Sequence, residues 1–189
     1  MSRPTMQSSP RSLSGERLKS AKYLTFHLGS EEFAIDVIKV KEIIGVQDIT
    51  AVPHTPHYVS GVINLRGKVI PVLDLRRKLG LPEAPDSPHR CIVVVQPDIE
   101  HGTVLSGLIV DGVSEVLTLS SAEIEPTPDF GEGIHIRHVL GIAKPKGKVK
   151  IVLDVDPLVM SDIDGSPQAA GGTQDLRYEE ATHSHATFR

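Results

Sequence analysis

The sequence predicts an all-β fold: two five-stranded barrels in tandem, with short helical turns and disordered tails. Three observations predict it. Among 189 residues, 39% are hydrophobic but only 4% aromatic and none is Trp. Val and Ile must therefore fill the core, and β-branched residues favour strands. Short Val/Ile-rich runs recur along the chain, bounded by Gly, Pro, Asn and Asp, the pattern of small barrels or sandwiches. The sequence also repeats itself, the mark of a duplicated unit.

The stretch "GVINLRGKVIPVLDL" (Gly61 to Leu75) aligns without gaps with "GIAKPKGKVKIVLDV" (Gly141 to Val155), eighty residues later, and seven of fifteen positions are identical. "VKEII" (Val40 to Ile44) likewise matches "VSEVL" (Val113 to Leu117), which sets Glu42 against Glu115. The folded part, 22–163, thus divides into barrel one at about 22–84 and barrel two at about 88–162, joined by "LPEAPDSPHR". Units this small sit near the lower limit for independent folding, so the two are expected to pack on each other. Residues 1–21 and 164–189 have little to bury and read as disordered tails.

In chain order the expected strands are "YLTFHL", "EFAIDV", "VKEIIG", "GVINLR" and "KVIPVLD", then "CIVVVQ", "TVLSGLIVD", "SEVLTL", "VLGIAK" and "KVKIVLD". Apolar spacing alone would allow a helix over "DVIKVKEII", but its β-branched residues assign it to strand. Asp74 and Asp154 each close a strand and are placed to cap a short helix. Gly67-Lys68 reads as a two-residue type II′ turn, which pairs Leu65 with Ile70, Asn64 with Pro71 and Ile63 with Val72.

Alternation then puts Ile63, Leu65, Ile70 and Val72 on a core face, and Val62, Asn64, Arg66, Val69, Pro71 and Leu73 on the other. This second face mixes aliphatics, an amide, a proline and one guanidinium, the composition of a surface that meets another packed surface. Either the other barrel supplies that surface, with Arg66 braced on Glu42 or a carbonyl, or a foreign partner does. In the second copy Asn64, Arg66 and Pro71 are replaced by Lys144, Lys146 and Ile151, whereas the aliphatic positions largely repeat.

Composition excludes several functions. A net charge of −4 with scattered Lys and Arg argues against nucleic acid as a partner. No apolar run approaches the ~18 residues of a membrane span. The Ser- and Arg-rich N-terminus overlaps organellar transit peptides in composition, yet a solvated tail accounts for it. A lone cysteine, Cys91, permits no internal disulfide and suits a reducing cytoplasm.

His54 with His57, and His183 with His185, lack partners at metal-ligand spacing. Cys91 lies mid-strand, where a thiol is shielded rather than activated. "GEG" at Gly131 lacks the context of a dinucleotide site. A small barrel enzyme using Cys91 or a His-bound metal is the competing class. With no catalytic constellation, the sequence reads as a binding module with no cofactor and no metal.

Three blocks, "LGSEEFAIDVIKVKEII", "YVSGVINLRGKVIPVLDLRRKLG" and "LIVDGVSEVLTLSSAEIEPTPDF", resemble the family of the chemotaxis coupling protein CheW across Lys22 to Ile163. The resemblance implies SH3-like barrels and a non-enzymatic cytoplasmic scaffold. Such a scaffold joins the signalling tips of methyl-accepting chemoreceptors to the regulatory domain of the histidine kinase CheA, and is membrane-associated only through receptors. It implies receptor-binding positions at Val40, Glu42, Arg66, Gly107, Val113 and Val116, with Asn64 beside Arg66 on the outer hairpin face. Kinase-binding positions are expected at Ile43 and Gly61. The long tails depart from the compact family pattern and leave open a chemosensory system that controls pili rather than flagella.

Overall fold

A computed structural model describes residues 20–83, 87–98, 104–127 and 138–160. The tails, apart from Ser20 and Ala21, lie outside the described residues, as do Gly131, His183 and His185. The described strands are β1 (Ser20–Leu28), β2 (Glu31–Asp36), β3 (Val40–Gly45), β4 (Val59–Leu65), β5 (Lys68–Asp74), β6 (Cys91–Val95), β7 (Ser106–Val110), β8 (Gly112–Ser120), β9 (Ile124–Glu125), β10 (Val139–Ala143) and β11 (Lys150–Leu153). Helix α1 (Leu75–Lys78) follows β5 and α2 (Val155–Met160) follows β11. The molecule is all-β, as its composition predicts.

The strands form two mixed sheets, ordered β8-β1-β2-β11-β10-β9 and β3-β6-β7-β5-β4. These sheets cut across the sequence halves: β1 and β2 join strands of the second half, and β6 and β7 join strands of the first. The expected division into one barrel per half is corrected accordingly. Connection length explains it. Only Val37–Lys39 separates β2 from β3, and only Asp111 separates β7 from β8. In a sheet made from one half alone, β3 would run parallel to β2 with β1 between them. That return takes a dozen or more residues, so a three-residue link must instead carry the chain into the other sheet.

The link itself is a 3-10 turn rather than the expected continuous strand. Asp36 accepts the Ile38 N–H at 3.0 Å, and the Lys39 carbonyl accepts from Gln96 at 2.8 Å. Asp36 thereby offers the backbone an alternative to the ladder.

Equivalent elements are related by fixed offsets. Val72 pairs with Gly107 in the parallel β5–β7 contact, and Val152 with Ala34 in β11–β2. The eighty-residue offset links β5 to β11, and an offset of 73, the one relating "VKEII" to "VSEVL", links β2 to β7.

A core shared by both sheets contains Phe26, Phe33, Ile35, Leu73, Val93, Val95, Leu108, Leu153 and Leu158. Ile63, Ile70, Val72, Ile92, Val94 and Ile109 cluster in one sheet, and Tyr23, Ala34, Leu119, Ala143 and Val152 in the other. Strand β6 alternates between the shared core and its own cluster. Burial on both faces is why "CIVVV" is apolar at every position.

The β4–β5 hairpin pairs Leu65 with Lys68, Asn64 with Val69, Ile63 with Ile70 and Val62 with Pro71. Its turn is therefore Arg66-Gly67, with φ of 51° and 82°, a type I′ turn in place of the expected II′. Asn64 holds it, its Oδ1 accepting the Gly67 N–H at 2.8 Å. Lys146 and Gly147 repeat the geometry at φ 54° and 79°. Moving the turn by one residue shifts each partner by two, so the predicted faces survive.

Asp74 caps α1, accepting from the Arg76 N–H at 2.9 Å and from Arg77 at 3.3 Å; Asp154 accepts from Asp156 at 3.1 Å. Both caps fall where the sequence places them.

Candidate partner-binding surface

Strands β3 and β8 end their respective sheet orders, each paired on one side, β3 with β6 and β8 with β1. Both carry a register shift at equivalent places, between Val40 and Glu42 and opposite Leu24/Phe26. In the second case buried Thr25 fills the irregularity: its hydroxyl donates to the Glu115 carbonyl at 2.8 Å and accepts the Glu115 N–H at 3.1 Å. Shifts of this kind re-aim side chains at a sheet edge.

The re-aimed residues include exposed aliphatics. Ile43 is 45% exposed on β3 and Val116 53% exposed on β8, and the "VKEII"/"VSEVL" match makes them equivalent. Val40 and Val113, also equivalent, are half-buried against the shared core. Beside Ile43, Glu42 receives a hydrogen bond from Arg66 Nη2 at 2.9 Å. The Arg66 side chain is 80% exposed and Glu42 25%, so this rim pair positions more than it stabilises. Among the described residues no ion pair joins Glu115 to Lys146, the counterparts in the second half. The two edges are alike in shape, and among the described residues only the first carries this ion pair.

The structure thus brings Val40, Glu42, Ile43 and Arg66 together, and sets Val113 and Val116 at equivalent places on β8. Asn64 is exposed but committed to its turn. Gly107 and Gly61 are buried and present no side-chain surface. A Cβ at Gly107 would meet Ile92 Cγ2 at 2.7 Å; one at Gly61 would meet the Thr50 carbonyl oxygen at 2.2 Å, where Thr50 bridges to Val62. Gly141 repeats the device beneath the Glu125 carbonyl, at 2.4 Å. Val69, which the sequence places on the outer hairpin face without assigning it a partner, and its counterpart Val149 are exposed aliphatics, at 69% and 55%. Their identity across the eighty-residue repeat was the available signal.

Three charged contacts fasten this frame. Arg76 binds Asp111 through Nε, at 2.9 and 2.8 Å to the two oxygens, and through Nη2, and Asp111 also accepts the Gly29 N–H at 2.6 Å. Burial opposes the Asp111 charge, but Arg76 and the Gly29 N–H hold its carboxyl below the usual range. Lys39 Nζ lies 2.8 Å from Asp156 and 2.6 Å from Asp98. Burial disfavours that ammonium, yet the two acids outweigh it and raise its pKa. Lys150, buried in β11, bonds Glu32, and that hydrogen bond lowers the Glu32 pKa.

The candidate chemistry is otherwise sparse. Cys91 is half-buried and burial pushes its thiol up, against a small opposing bond from the Val113 backbone. His54 is exposed, and His57 lies edge-on to Tyr58 at 5.4 Å. Among the described residues no three His, Cys, Asp or Glu side chains are grouped to hold a metal, and no helix is long and apolar enough to cross a membrane.

Comparison with known proteins matches residues 22–162 to the CheW-like domain. The chain is 35% identical over 151 residues to the chemotaxis protein CheW of Rhizobium meliloti, covering 76% of this chain and 95% of that one. To the Bacillus subtilis protein of the same name it is 40% identical over 139 residues, covering 73% and 86%. Among solved structures, the scaffolding protein TtCheW from Thermoanaerobacter tengcongensis superposes with a TM-score of 0.65 at 36% identity, covering 74% of this chain and 92% of that one.

Proposed function

Because the chain belongs to the CheW family, whose CheW-like domain spans its residues 22–162, we propose that it is a cytoplasmic scaffold linking methyl-accepting chemoreceptors to the histidine kinase CheA. It acts by binding rather than by catalysis and needs no cofactor. On the same reading the six-stranded and the five-stranded sheet each close into an SH3-like barrel. The Thr50–Val62 bridge and the Glu42–Arg66 pair support closure of the five-stranded one.

The observation that carries this reading is the pair of equivalent edges, β3 and β8, that hold apolar side chains in water, the first beside the Glu42–Arg66 pair. An exposed aliphatic beside a charged rim is the anatomy of a protein-binding surface. Receptor tips are assigned to Val40, Glu42, Arg66, Val113 and Val116, with Gly107 shaping the backbone beneath and Asn64 fixing the turn that presents Arg66. The kinase's regulatory domain is assigned to the neighbourhood of Ile43, with Gly61 supporting the adjacent strand.

Pull-down of the kinase and of receptor signalling tips tests the assignment. Arg66→Glu places like charge beside Glu42 on an exposed rim, so folding is unchanged within about 1 kcal/mol while receptor capture falls. Unchanged capture of both partners and unchanged kinase activation would refute the assignment of this face.

A further inference from the structure

Each half of the chain is built to be completed by the other. The β1–β2 hairpin of the first half (β1–β5, α1) docks beside β11 of the second half, and the β6–β7 hairpin of the second half (β6–β11, α2) docks beside β5 of the first. Because the halves are repeats, a first half could in principle accept the β1–β2 hairpin of another first half in a second copy of the chain. The short β2–β3 link, which forbids that arrangement within one chain, does not forbid it between two. Something else has to.

The three charged contacts all cross the junction between halves, and each fails when like meets like. Lys150 is equivalent to Ile70 by the eighty-residue offset, and Glu32 to Leu105 by the offset of 73. The junction that holds Glu32–Lys150 on one side therefore holds Leu105 and Ile70 on the other. Two first halves together would set the Glu32 carboxylate on Ile70, and two second halves would bury the Lys150 ammonium on Leu105.

The clamps on the helices behave the same way with reversed sign. Arg76 on α1 and Asp156 on α2 are equivalent, and each reaches the end of the neighbouring parallel strand. Arg76 finds Asp111 after β7; Asp156 finds Lys39 after β2. In a pair of first halves Arg76 would meet Ile38 with Lys39 next to it, cation against cation. In a pair of second halves Asp156 would meet Gly112 with Asp111 next to it, acid against acid. Side-chain exposures of 12% for Arg76 and Asp111, and 4% for Lys150, put these mismatches largely out of water, where an unpaired charge is costly.

We propose that Glu32–Lys150, Arg76–Asp111 and Lys39–Asp156 form a charge code by which a first half pairs with a second half, of its own chain or of a second copy, and rejects another first half. Complementation between variants of the 189-residue chain tests it. Arg76→Asp and Asp111→Arg each set like charges at one junction, and each alone is expected to melt about 10 °C below the parent chain. Refolded together in equal amounts, they offer a matched solution only by exchange: the acid introduced at 76 in one chain meets the base introduced at 111 in the other, while the two unaltered positions meet each other.

The expected product is a one-to-one heterodimer by native mass spectrometry, with most of the lost melting temperature recovered; domain exchange of this kind reuses the parent's contacts apart from the reversed pair, which gives up the Gly29 N–H bond to Asp111 and the Arg76 bond to the Pro82 carbonyl. The double variant Arg76→Asp/Asp111→Arg on one chain is expected to fold as a monomer that melts above either single variant and below the parent, since the reversed pair no longer accepts the Gly29 N–H. Three results would overturn the code: single variants as stable as the parent, a mixture showing only the two separate variants, or a double variant no better than either single one.

Discussion

Glu32→Leu and Lys150→Ile, alone and together, give the sharpest test of the buried pair. The Lys150 side chain is 4% exposed and Glu32 27%. Glu32→Leu leaves an ammonium buried without its acid, a class of change that costs about 3–5 kcal/mol. Lys150→Ile leaves a carboxylate that can turn to water, and it adds apolar burial, so a loss of about 1 kcal/mol is expected.

The double variant rebuilds the Leu105/Ile70 contact of the other junction and should match or exceed the parent, by up to about 4 kcal/mol. Urea denaturation at pH 7 reads all three. In the parent the depressed Glu32 pKa contributes stability above the ordinary carboxylate range that is lost as pH falls through its folded value. A double variant as unstable as Glu32→Leu would show that the buried pair is not the source of the loss.

Other expectations follow from single contacts. Thr25→Val removes the hydroxyl that satisfies both backbone groups of Glu115 and should cost about 1–3 kcal/mol in urea unfolding. Gly61→Ala and Gly141→Ala drive a methyl onto the carbonyls of Thr50 and Glu125 and should each lower the melting temperature by several degrees, of order 1–3 kcal/mol. Val116→Glu, at an exposed position, should leave the melting curve within about 0.5 kcal/mol of the parent and reduce capture of receptor tips.

Much of this architecture was legible because side-chain alternation is robust to small errors. The hairpin turn lies at Arg66-Gly67 rather than Gly67-Lys68, yet Ile63, Ile70 and Val72 remain on the buried face because the slip preserves parity. The exchange of hairpins was not legible from the repeat, which shows which segments are alike and not which segments touch. The signal lay in the links, three residues after β2 and one after β7, too short to return across a sheet.

Lys150 reads in sequence as a polar strand position, since the acid that lets it be buried stands 118 residues away. Arg66 and Glu42 are paired as one of the two sequence alternatives anticipated. Gly61 and Gly107 were expected at contact surfaces, but each has its missing Cβ accounted for by a neighbour inside the fold.

Coupling of receptor to kinase by this chain, as proposed, is measured by co-sedimentation of the kinase with receptor-bearing membranes at rising concentrations of the protein. Sedimented kinase is expected to rise and saturate with the protein, and Arg66→Glu at the same concentrations to leave the kinase in the supernatant. Kinase sedimentation that is the same with and without the protein would contradict it.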